Sequence, residues 1–132
     1  MNWREHPACP ADGTVLCKVT DVPDDGGYEV ACANGSETLR LLLLRRGEQV
    51  WAYENICPHF SLPLNYDPQT FVTLDGLVMC AHHTAFFQFE DGKCVDGPCT
   101  GAGLTPVPVR CKDGLVRLSL QSRPGASNSR AA

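Results

Sequence analysis

Long apolar runs are missing from this 132-residue chain. The longest is Leu41-Leu42-Leu43-Leu44, followed at once by Arg45-Arg46. About 20 apolar residues are needed for a helix to span a bilayer, so no membrane helix is expected. A positive surplus is missing too. Eleven basic against fifteen acidic residues give a net charge of −4, which argues against a general nucleic-acid binder. The start, Met1-Asn2-Trp3-Arg4-Glu5-His6-Pro7, lacks the charged-then-apolar pattern of a secretory signal, so the expected compartment is the cytoplasm. No stretch of about a dozen residues carries a 3.6-residue period, and ten prolines with twelve glycines oppose long helices. No Gly-x-Gly-x-x-Gly follows a strand, so no dinucleotide site is expected. The content of 43% hydrophobic and 20% charged residues excludes a disordered chain and supports one modest core, hence one domain.

What is present reads as short strands joined by tight turns. Asp-Gly occurs at 12–13, 75–76, 91–92 and 113–114, and this pair supplies the positive φ of hairpin turns. Strand-like runs flank three of the four: Phe71–Leu74 and Leu77–Cys80; Ala85–Glu90; Val107–Cys111 and Leu115–Leu120. Val116, Leu118 and Leu120 alternate with Arg117 and Ser119, the mark of a strand with one buried face. Thr38–Arg45 is nearly continuously apolar and is expected to be covered on both faces. Gln49–Asn55 returns alongside it. Long loops are expected between Asn55 and Phe71 and between Lys93 and Thr105. The class is all-β. The polar, small-residue stretch 121–132 is expected to be a flexible tail.

Eight cysteines stand at 9, 17, 32, 57, 80, 94, 99 and 111. In a reducing compartment metal ligation and packed thiols are better readings than stable disulfides. Three of the four histidines lie beside cysteines. Cys57-Pro58-His59 has the form C-x-H, and Cys80-Ala81-His82-His83 contains C-x-x-H, with twenty residues between His59 and Cys80. Two Cys–His pairs, each in a loop beside a hairpin strand, define a four-ligand metal site of Cys57, His59, Cys80 and His83. Zinc takes two cysteines and two histidines tetrahedrally, which would make the chain a structural binding module. The interleaved order, one Cys and one His from each loop, better suits a binuclear [2Fe–2S] cluster with two thiolates on one iron and two imidazoles on the other. Outside these loops the only histidine is His6, so no second metal set of the two-His-one-carboxylate kind is present.

With these motifs, the stretch from Leu41 to Leu120 resembles the Rieske [2Fe–2S] family. It carries Cys57-Pro58-His59, then Cys80-Ala81-His82-His83-Thr84-Ala85-Phe86-Phe87, the Asp91-Gly92 turn, the Gly97-Pro98 loop and Leu104-Thr105-Pro106-Val107 in the family's order. The resemblance implies a Rieske fold: an antiparallel sandwich- or barrel-like base spanning 1–120, with a small cluster-binding subdomain inserted at about 56–100. It implies one [2Fe–2S] cluster per chain on Cys57, His59, Cys80 and His83. Thr84 departs from the family's usual Gly, and His82 stands next to the expected ligand. High-potential members carry an extra loop disulfide and a serine near the sulfides. The matching positions here are Leu62, His82 and Ala85, which implies a low potential. The implied role is that of a non-enzymatic carrier, taking an electron from a flavin or iron–sulfur reductase and passing it to an oxygenase or other terminal redox enzyme. A small subunit of a nitrite-reductase-like enzyme is the variant of this reading. Cys94 and Cys99 frame the Gly97-Pro98 loop; packed thiols are the plainer reading, a disulfide the alternative. Trp51 and Tyr53 read as core, and Cys9, Cys17, Cys32 and Cys111 as small core or surface residues.

Overall fold

A computed structural model of the chain describes residues 3–57, 63–65, 71–80, 85–97 and 102–120. Eleven strands run through them: β1 (Val15–Lys18), β2 (Gly26–Asn34), β3 (Glu37–Arg46), β4 (Gln49–Glu54), β5 (Val72–Leu74), β6 (Leu77–Met79), β7 (Phe86–Gln88), β8 (Cys94–Asp96), β9 (Pro106–Val107), β10 (Val109–Lys112) and β11 (Leu115–Leu118). Every strand pairing is antiparallel. Helical structure among the described residues amounts to two single 3-10 turns, Trp3–Glu5 and Val19–Asp21. No helix among them is long and apolar enough to cross a membrane.

The strands form three sheets: β1-β11-β10, β2-β3-β4-β9 and β5-β6-β7-β8. The second is the middle layer, and the leucine run shows why. Side chains alternate along a strand, so a strand buried on both faces needs apolar residues at every position. Leu41, Leu42, Leu43 and Leu44 are all fully buried. Leu41 and Leu43 join a core with Val50, Ala52, Val107, Val109, Cys111, Val116 and Leu118, between the first and second sheets. Leu42 and Leu44 point the other way. They join Trp51, Tyr53, Cys57, Cys80, Val78, Phe87 and Phe89, between the second and third sheets. Burial of each leucine is worth about 1.5–3 kcal/mol, so β3 is the principal tie between the two cores.

Two Asp-Gly turns behave as the sequence implies. Asp75 and Gly76 have φ of 48° and 76°, and Asp113 and Gly114 have 54° and 77°, the paired positive values a type I′ hairpin requires. Gly92 serves a second purpose. Its φ is +71°, and a Cβ there would stand 2.7 Å from Cε1 of Tyr53. Gly92→Ala is therefore expected to cost more than Gly114→Ala, which has φ +77° but open space around it. The first adds overpacking of about 1–3 kcal/mol to a left-handed penalty of about 1–2 kcal/mol; the second bears the penalty alone. Urea unfolding midpoints of the two variants check this ordering.

Four features depart from the sequence reading. The expected loop from Lys93 to Thr105 contains β8, which pairs with β7, and a bridge from Lys93 to Gly103. The expected single strand Val107–Cys111 is broken at Pro108, so β9 belongs to the second sheet and β10 to the first. Proline has no N–H for a ladder, and the Pro108 carbonyl instead accepts from Ser119 N at 3.0 Å. Finally, β1 and the nine-residue β2 are strands whose bounds the turn and alternation signals do not mark. The regular part of β11 also stops at Leu118, short of Leu120.

Candidate metal centre

Cys57 follows β4 by three residues. Glu54 N donates to Thr105 O and Asn55 N to Arg40 O, both at 2.9 Å, so the chain is tied to its neighbours until just before the thiol. Cys80 follows β6 directly, and its N–H donates to Ala85 O at 2.8 Å. That bond closes the β6–β7 hairpin beneath residues 81–84. Cys80 thus sits at the end of β6, beside Ala85 at the start of the return strand, and Cys57 in the connection leaving the middle sheet.

Both thiols are fully buried, in the same apolar core. Around them pack Leu42, Leu44, Trp51, Tyr53, Leu64, Val78, Ala85, Phe87, Phe89, Cys94 and Leu104. Trp51 and Phe89 stack obliquely with ring centroids 6.3 Å apart. Tyr53 donates its phenol hydrogen to Phe89 O at 2.5 Å. Burial, with Asp91 and Glu90 adding to it, pushes that phenol well above its usual range, so it stays neutral and acts as a donor. Trp51 and Tyr53 are core, as read from the sequence. Two thiols from separate segments, buried in one core of aromatic and aliphatic side chains, fit a thiolate-held cluster. His59 and His83, and with them His82, Thr84, Leu62 and Cys99, lie outside the described residues. Cys94 is buried in the same core, with its Sγ 3.3 Å from Asp96 O. Cys9, Cys17 and Cys32 are half-buried and Cys111 is buried, all packed in the core between the first and second sheets. Burial raises all four of their thiols, to about 12 for Cys17.

Sequence reasoning missed one part of the site. Glu29 on β2 is buried, and its carboxylate accepts from Arg40, Asn55 and Asn65. Burial alone would raise this carboxyl. The hydrogen bonds from Arg40, Asn65 and Asn55, with the charge of Arg40, outweigh burial and hold it below the usual carboxylate range. The three partners are spread over the chain at 40, 55 and 65, so no motif spacing announces them.

The family model of the Rieske [2Fe-2S] domain matches residues 12–116, and the chain belongs to this family. A domain of this family binds one [2Fe–2S] cluster. No curated protein matches the chain significantly. Among solved structures, the ferredoxin of Sphingomonas yanoikuyae B1 aligns with a TM-score of 0.62 at 24% identity, over 82% of this chain and 98% of that one. The ferredoxin of carbazole 1,9a-dioxygenase from Nocardioides aromaticivorans IC177 gives 0.63 at 16% identity, over 83% and 98%. A chain from the complex of reduced oxygenase and oxidised ferredoxin in carbazole 1,9a-dioxygenase gives 0.63 at 23%, over 83% and 94%. These similarities establish the shared all-β Rieske fold.

Proposed function

We propose that the protein is a one-electron carrier of the Rieske ferredoxin kind, with its cluster held by Cys57, His59, Cys80 and His83. The observation that carries this reading is the complete burial of Cys57 and Cys80 in one core, in a chain of the Rieske family. When bound, the cluster supplies a reversible one-electron couple. The chain's part is to hold two thiolates away from water and leave the imidazole side of the site to partners. The ferredoxins it resembles in fold are matched over 98% of their own length, which supports a carrier. On this reading the donor is a flavin or iron–sulfur reductase, and the acceptor an oxygenase or other terminal redox enzyme, in the cytoplasm; a similar chain seen in complex with an oxygenase supports the acceptor. The cluster-binding subdomain is assigned to about residues 56–100 within a 1–120 domain. Ile56, exposed beside Cys57, offers apolar contact next to the cluster.

Potentiometric titration of the anaerobic protein tests the role. Ala85, where high-potential members use a serine, contributes no hydroxyl hydrogen bond to the sulfides. The expected result is a single one-electron wave at the low end of the range of about −150 to +300 mV. A redox-silent protein over that range overturns the carrier reading.

A further inference from the structure

The segment that carries Cys57 and His59 is closed at its neck by a buried polar network. Asn55 and Asn65, both buried, bracket it. Asn55 Nδ2 donates to Asn65 Oδ1 at 2.8 Å, and Leu64 N donates to Asn55 Oδ1 at 2.9 Å. The closed neck is then bolted to the middle sheet. Asn65 Nδ2 donates to Glu29 Oε1 at 3.1 Å, and Asn55 Nδ2 to Glu29 Oε2 at 3.3 Å. Arg40, the cross-strand neighbour of Ala31, grips the same carboxylate with Nε and, at 3.0 Å, Nη2. Its carbonyl also accepts Asn55 N at 2.9 Å.

Three side chains, from β3 and from both ends of the first motif's loop, therefore share the one carboxylate of Glu29 on β2. Such a network is worth most when complete, because losing one member leaves buried polar groups unpaired. A simple staple between β2 and β3 would need only Glu29 and Arg40. The two asparagines lie outside that pairing: Asn55 ties the two ends of residues 55–65 together, and both amide groups fasten those ends to Glu29. Leu64, between the clasp and the site, is buried against the same core as Cys57 and Cys80.

We infer that Glu29, Arg40, Asn55 and Asn65 are positioning residues for the first ligand loop, holding Cys57 and His59 at the cluster. This rests on the reading that Cys57 and His59 are ligands. Outer partners of metal ligands commonly govern metal retention by about 10–100-fold. The test uses the holoprotein with Asn65→Ala and, as a variant that keeps the side-chain shape, Glu29→Gln. Val116→Ala, in the opposite core, is the control for general destabilisation. Iron release to a ferrous chelator and the spread of g-values in the reduced spectrum are measured beside melting temperature. The expected result is release at least about tenfold faster in Asn65→Ala and Glu29→Gln, with a broadened spectrum. Val116→Ala, at equal or greater loss of melting temperature, releases iron at close to the wild-type rate. Release that follows melting temperature alone across all three variants overturns the inference. Wild-type protein that holds no iron overturns instead the ligand assignment beneath it.

Discussion

Cys80→Ala is expected to leave the chain with close to no iron, down from the roughly two atoms that a [2Fe–2S] cluster requires. The thiol sits at full burial directly after β6, where the Cys80 N–H is bonded to Ala85 O. Alanine offers no donor in its place. The lost ligand also removes binding free energy that is coupled to folding. The third sheet, whose strands are three residues long, should loosen with it. The six cysteines outside the ligand set provide controls. Cys17→Ala changes a half-buried thiol of the other core and should retain full iron. Cys94→Ala is the more demanding control, because Cys94 shares the buried core with Cys57 and Cys80. It too should retain iron, since it lies outside both ligand motifs. Iron assayed on each purified variant decides the matter. Full iron in Cys80→Ala would remove Cys80 from the ligand set.

The second large effect concerns β3. Leu42→Ala and Leu43→Ala delete neighbouring, fully buried side chains of one strand, and each should cost about 2–5 kcal/mol. Their consequences should differ in kind. Leu43 faces Val50, Val109 and Val116, between the first and second sheets. Leu42 faces the core that contains Cys57, Cys80 and Phe87. Both variants should unfold at lower urea, whereas only Leu42→Ala should also speed loss of iron from the still-folded protein. Equal rates of iron loss at equal loss of stability would show that the two cores do not act separately.

The contrast between β3 and β2 shows what the sequence makes legible. Four consecutive leucines announce a strand covered on both sides, and the structure divides them between two cores. β2 pairs with β3 along nine residues, yet its pattern is hidden. Tyr28, Val30 and Cys32 pack toward one core while Glu29, on the opposite face, is buried as well. A buried carboxylate reads as a surface residue until the Arg40 and asparagine partners that neutralise its cost are known. β8 was hidden by its brevity, and the break at Pro108 by apolar residues on both sides of it. In the site, the cysteine motifs could be read directly because ligand spacing is local. The Asn55–Asn65–Glu29 clasp could not, because it is assembled only by folding.

The most direct measurement is electron paramagnetic resonance of the dithionite-reduced, anaerobically purified protein, with iron and zinc counted on the same sample. A rhombic Rieske-type signal, about two irons per chain and no zinc are expected for a cluster held by two cysteines and two histidines. A silent spectrum with one zinc per chain would contradict it, and would leave Cys57, His59, Cys80 and His83 as the ligands of a structural zinc.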